Sequence, residues 1–127
     1  MPRARPRLIS AADQAAVLTK ATLRAATQLG LTNKALATII GLSEATVSRM
    51  RSGDYILQRG QKPFELAVLF VRLYRSLDAM VGGDDAVAAN WLKNRNTALD
   101  AEPFALIQTV PGLMNVIQYL DARRAVV

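Results

Sequence analysis

Apolar positions return along most of the chain at the spacing of helix faces, and no stretch sustains the alternation of a half-buried strand. Over residues 13–29, Val17, Leu18, Ala21, Ala25 and Leu29 recur at helical spacing among good helix formers, and Gly30 ends the run. Thr32 or Asn33 can cap a short second helix reaching about Ile40, and Gly41 stands where a left-handed terminating residue is wanted. Ser43 caps a third helix through Thr46, Val47 and Met50, which Gly53 closes. Beyond Pro63 the apolar set widens to Phe64, Leu66, Leu69, Phe70, Leu73, Tyr74, Leu77 and Met80. That breadth predicts a helix buried on more than one side.

Gly82 and Gly83 break this helix. Asp84 or Asp85 then caps another, which bears Val87, Ala88, Trp91 and Leu92, and a polar loop follows over residues 94–100. Pro103 suits a helix first turn before Phe104, Leu106 and Ile107. Pro111 and Gly112 are expected to interrupt the chain, and a last amphipathic helix places Leu113, Val116, Ile117 and Leu120 on one stripe ahead of Arg123 and Arg124. The fold class expected is all-α.

Charge divides this helical chain in two. Residues 1–62 hold ten Lys and Arg against three Asp and Glu, a net of +7, while residues 63–127 hold six against seven, a net of −1. Such asymmetry suggests that the first half meets a polyanion, with nucleic acid ahead of a membrane surface. The domain reading is a basic arm over residues 1–12 carrying Arg3, Arg5 and Arg7, a DNA-binding unit over 13–62 and a second unit over 63–127.

The segment at residues 33–53, NKALATIIGLSEATVSRMRSG, has the internal logic of a helix-turn-helix. Ala37 lets two helices approach, Gly41 makes the turn, and Leu36, Ile40, Leu42, Val47 and Met50 form the wedge between them. Glu44, Ala45, Thr46, Ser48 and Arg49 are then expected on the exposed side of the third helix. Arg49 can donate twice to a guanine or contact a phosphate; Ser43, Thr46 and Ser48 can reach phosphates or base edges; Arg51 and Arg59 flank them. These residues resemble the helix-turn-helix of the Xre and Cro repressors over roughly residues 13–60.

In the second half Trp91-Leu92, Asn96, Ala98-Leu99, Pro103, Leu106, Thr109, Gly112, Val116 and Leu120 are similar in type and order to the Xre/MbcA/ParS antitoxin C-terminal domain. Read without that likeness, Trp91, Leu99, Phe104 and Leu106 are core anchors, and Asn96 shapes a turn. The candidates for partner contact are Tyr119, Asp121, Arg123, Arg124 and the tail residues Val126 and Val127. The resemblance implies an antitoxin of the RES–Xre type. Such a protein represses its own operon and holds a RES-domain, NAD-degrading toxin. The mechanism expected here is occlusion of the toxin's active site coupled to repression by a dimer, for which the wide apolar helix after Pro63 is a candidate interface if it is not buried within the chain. A stand-alone repressor whose second half only dimerises is the alternative, and a neighbouring toxin gene separates the two.

Composition narrows the chemistry further. With no Cys and no His the chain lacks a disulfide, a thiolate or imidazole metal site and a Cys or His nucleophile. Neither an enzyme, a metal, a cofactor nor a small-molecule substrate is expected. No apolar run has the length of a signal-peptide core or a membrane span, so a cytoplasmic protein is expected.

Overall fold

A computed structural model describes residues 10–125 of the chain. Seven helices account for its regular structure: α1 (Ala11–Gln28), α2 (Asn33–Ile40), α3 (Glu44–Arg51), α4 (Lys62–Met80), α5 (Asp85–Lys93), α6 (Pro103–Leu106) and α7 (Val110–Ala125). Among the described residues no strand occurs, and an isolated bridge joins Asn96 to Ala101.

The helix starts are set by side chains that satisfy otherwise orphaned backbone N–H groups. Ser10, Thr32, Ser43 and Asp84 each accept a hydrogen bond from the N–H three residues on, opening α1, α2, α3 and α5. Gly41 takes the left-handed conformation at the end of α2, with φ of 76°, which a side chain would strain.

The wide apolar face of α4 is explained by its position. It packs most extensively on α7 and also on α1, α2 and α5, and Leu66, Ala67, Phe70, Val71, Leu73, Ser76 and Leu77 are buried along it. One continuous core results, running from Leu29, Leu36, Ile40 and Val47 through Phe70 and Leu77 to Leu92, Ile107, Ile117 and Leu120. Thr19 connects the loop after α3 to this framework. Its hydroxyl donates to the Ala15 carbonyl at 2.7 Å and accepts from the buried Leu57 N–H at 3.0 Å.

Three expectations about packing are corrected. Val17, grouped by spacing with the apolar positions of α1, is 58% exposed; the buried positions of that helix are Ala15, Thr19, Thr22, Ala25 and Ala26. Pro111 and Gly112 do not interrupt the chain but lie in the first turn of α7. Thr109 caps that turn, accepting from the Gly112 N–H at 3.1 Å. A Cβ at Gly112 would stand 1.9 Å from the Leu106 carbonyl oxygen, so the glycine is required by the close approach of α7 to α6. Finally, Trp91, Leu99, Phe104 and Leu106 are only partly buried against the core. Its centre in this half is taken by other aliphatics, Leu92, Ile107, Leu113, Val116, Ile117 and Leu120.

Candidate functional site: a DNA-facing helix and the end of α7

Helices α2 and α3 form the expected helix-turn-helix. Leu36, Ala37, Ile40, Val47 and Met50 are buried between them and against the rest of the core. This leaves Glu44, Ala45, Ser48 and Arg49 exposed on α3, as the spacing predicts.

Thr46 is the exception. It is 9% exposed, and its hydroxyl sits in a chain of polar contacts along the helix, 2.8 Å from Ser43 Oγ and 3.0 Å from the Arg49 Nη2 that donates to it. Ser43 Oγ also accepts from the Thr46 N–H at 3.0 Å. Ser43, Thr46 and Arg49 therefore form one ladder at three-residue intervals. The ladder fixes the guanidinium through one donor and leaves its other four for an outside partner. Thr46 positions Arg49 and does not itself face outward.

Arg51 is exposed but anchored. Its Nε donates to Asn33 Oδ1 at 2.5 Å and its Nη1 to Thr27 Oγ1 at 3.0 Å, tying the end of α3 to the end of α1 and the start of α2. Arg59 donates to Gln14 Oε1 at 2.8 Å and joins the loop after α3 to α1. Arg3, Arg5 and Arg7 lie outside the described residues.

The end of α7 presents two different faces. Tyr119 and Arg123, one turn apart, turn toward α5. The Tyr119 ring stacks on Trp91 with centroids 6.2 Å apart and planes 18° from parallel, and the Arg123 guanidinium lies 6.0 Å from the Tyr119 ring. Asp121 and Arg124 turn toward α4. Asp121 pairs with Arg72 and accepts from the buried Ser76 hydroxyl at 3.2 Å, while Arg124 donates to the same hydroxyl at 3.3 Å. The sequence singled out these α7 residues but gave no sign of their partners Trp91, Arg72 and Ser76, because helix packing brings them together from distant positions. Val126 and Val127 lie outside the described residues.

Before α7, the loop over residues 94–100 is shaped by Asn96. Its side-chain carbonyl accepts from the Leu99 N–H at 3.1 Å and its own N–H donates to the Ala101 carbonyl at 2.9 Å. On α4, Tyr74 reaches Gln28 of α1 and Asp85 of α5 through its hydroxyl. Burial, followed by the nearby carboxylates of Asp78 and Asp85, pushes its pKa above the ordinary 10.0. Among the described residues no cluster of three carboxylate, imidazole or thiolate groups could hold a metal ion. None of the described helices is long and apolar enough to cross a membrane.

An exposed, pre-ordered arginine on the second helix of a helix-turn-helix, joined through one long helix to a helical binding module, defines the class: an all-α DNA-binding protein with an attached interaction domain. The family model of the antitoxin Xre-like helix-turn-helix domain matches residues 9–72, and that of the antitoxin Xre/MbcA/ParS C-terminal toxin-binding domain matches residues 76–125. The chain belongs to the Xre-type antitoxins, with a helix-turn-helix domain followed by a toxin-binding domain. A search of curated proteins finds no match to it. The two matched segments meet inside α4.

Proposed function

We propose that this antitoxin neutralises a RES-domain toxin that degrades NAD and represses its own operon by binding DNA as a dimer. The observation that carries the reading is that a toxin-binding domain and a helix-turn-helix with a poised Arg49 share one folded core. On the DNA side, Glu44, Ala45, Ser48 and Arg49 face the major groove, Ser43 and Thr46 order Arg49, and Arg51 adds charge near the backbone. Two copies are required because one eight-residue recognition helix presents too few side chains for operator specificity, and paired half-sites supply the rest.

On the toxin side, the end of α7 enters the active-site cleft, with Tyr119, Arg123 and Arg124 contacting its walls and Val126 and Val127 as further candidate contacts. Asp121 is held by Arg72 and Ser76, so its part is to orient the end of the helix. The RES identity of the toxin rests on the family resemblance. Domain limits near residues 12 and 62 go with this reading, although α4 carries the core across the second of them.

The test is co-expression with the adjacent gene while cellular NAD is measured. NAD is expected to fall with the neighbour alone and to be restored by this chain. Unchanged NAD in both cases refutes the toxin's chemistry, and full neutralisation by a chain lacking residues 123–127 refutes entry of the α7 end into the cleft.

A further inference from the structure

A groove of about 770 Å³ runs between α1, α4 and α7, on the side of α7 away from the Trp91 stack. Val17 and Leu18 of α1 and Val68 and Val71 of α4 line its apolar length. Val17 is 58% and Val68 46% exposed. A single exposed valine needs no explanation; two lining one concave surface of ligand-pocket size do.

The polar end of the groove holds Arg72, Arg75, Ser76, Asp121 and Arg124. Three guanidiniums against one carboxylate leave a net charge of 3 − 1 = +2. Arg72 is paired with Asp121 and Arg124 donates to Ser76, while Arg75 makes no hydrogen bond or ion pair among the described residues.

The mixture selects the occupant. An apolar stretch that ends in cationic side chains matches an apolar chain that ends in an anion. A nucleic-acid backbone would satisfy the arginines but leave the valines in water. We infer that the groove binds an amphipathic carboxylate of the medium-chain fatty acid type, its chain between α1 and α4 and its head on Arg75 and Arg124. The groove already shows how a carboxylate is held there, in the Asp121 side chain between Arg72 and the Ser76 hydroxyl. Binding in the groove is measured without a toxin or an operator, and it shares Arg124 with the proposed toxin contact. Its walls come from both the helix-turn-helix half and the toxin-binding half, so an occupant touches both.

The test uses the full chain and decanoate below its micelle-forming concentration, followed by calorimetry and by NMR shifts of the valine methyl groups. Saturable one-to-one binding is expected, with shifts at Val17 and Val68 and at least a tenfold weaker Kd for both Arg75→Gln and Val17→Asp. Because both side chains are solvent-exposed, both variants should keep the parent circular dichroism spectrum. 1-Decanol, with the same chain and no charge, should bind at least tenfold more weakly. Absence of saturable decanoate binding, or equal binding of 1-decanol, overturns the inference. A tenfold preference for decyl phosphate overturns the carboxylate assignment in favour of a phosphate head. Conversion of a dimer to a monomer by Val17→Asp, without decanoate binding by the parent, shows that the groove is an interface between copies and overturns it as well.

Discussion

Replacing Gly112 with alanine should separate α7 from α6. The added Cβ would lie 1.9 Å from the Leu106 carbonyl oxygen, 2.7 Å from its carbon and 2.9 Å from Thr109 Oγ1. Since real Cβ contacts essentially never fall below 3.0 Å, the backbones must part by at least 3.0 − 1.9 = 1.1 Å at the oxygen. The two closest crowding atoms belong to the Leu106 backbone, so no side-chain rotation relieves them. Overpacking of this kind costs about 1–3 kcal/mol. Displacing the turn also weakens the Leu113 N–H to Thr109 carbonyl bond of 2.8 Å and the Thr109 cap, worth about 1 kcal/mol. Alanine's better helix propensity returns about 1 kcal/mol, leaving a net loss of roughly 1–3 kcal/mol from a total of order 5–15 kcal/mol. Urea unfolding followed by circular dichroism reads this directly. With a slope of about 2 kcal/mol per molar, the middle of the range for a small protein, the midpoint should fall by about 0.5–1.5 M. A midpoint equal to or above that of the parent would refute the close-approach explanation.

Thr19→Val keeps the shape of the side chain but strands the buried Leu57 N–H, so a loss of about 1–3 kcal/mol and a melting point lower by about 3–10 °C are expected by calorimetry; an unchanged melting point refutes the tether. Thr46→Val removes the hydroxyl that holds Arg49 and should weaken operator binding about twofold to tenfold while the fold persists; unchanged affinity in a mobility-shift titration refutes the positioning role. Arg49→Ala should weaken operator binding and leave toxin neutralisation intact. Equal loss on all DNA sequences marks a phosphate contact, and loss of discrimination marks a base contact. Tyr74 has a folded pKa above the ordinary 10.0 because burial opposes its ionisation. Its contribution is therefore fully present below pH 10 and is lost as pH rises through the folded value; Tyr74→Phe should flatten that alkaline fall in urea stability, and an identical fall in the variant refutes the assignment.

The helices and the helix-turn-helix were legible because their signals are local. Caps at Ser43 and Asp84, the turn at Gly41 and the apolar spacing of residues 36–50 act within a few positions. What was misread depended on partners distant in sequence or on side-chain geometry. Thr46 has the polarity of a surface residue, and only its contacts with Ser43 and Arg49 reveal that it points inward. Gly112 follows a proline and so imitates a break, whereas its cause is the carbonyl of a residue on another helix. Val17 belongs by spacing to an apolar stripe, but α1 buries Thr19 and Thr22 instead because their hydroxyls bond to the helix's own carbonyls. The α7 candidates were found as residues and not as faces, since Trp91 and Ser76 join them only through the packing of α5 and α4 on α7.

Helix α4 carries apolar residues into both halves of one core and has no internal break from Lys62 to Met80. The protein therefore lacks a place where one half can be cut away and the other left intact. Unravelling of either end removes packing that supports the other, so the helix-turn-helix and the toxin-binding domain are expected to unfold together. Under the proposed function, loss of this shared core releases the DNA and the toxin in the same event.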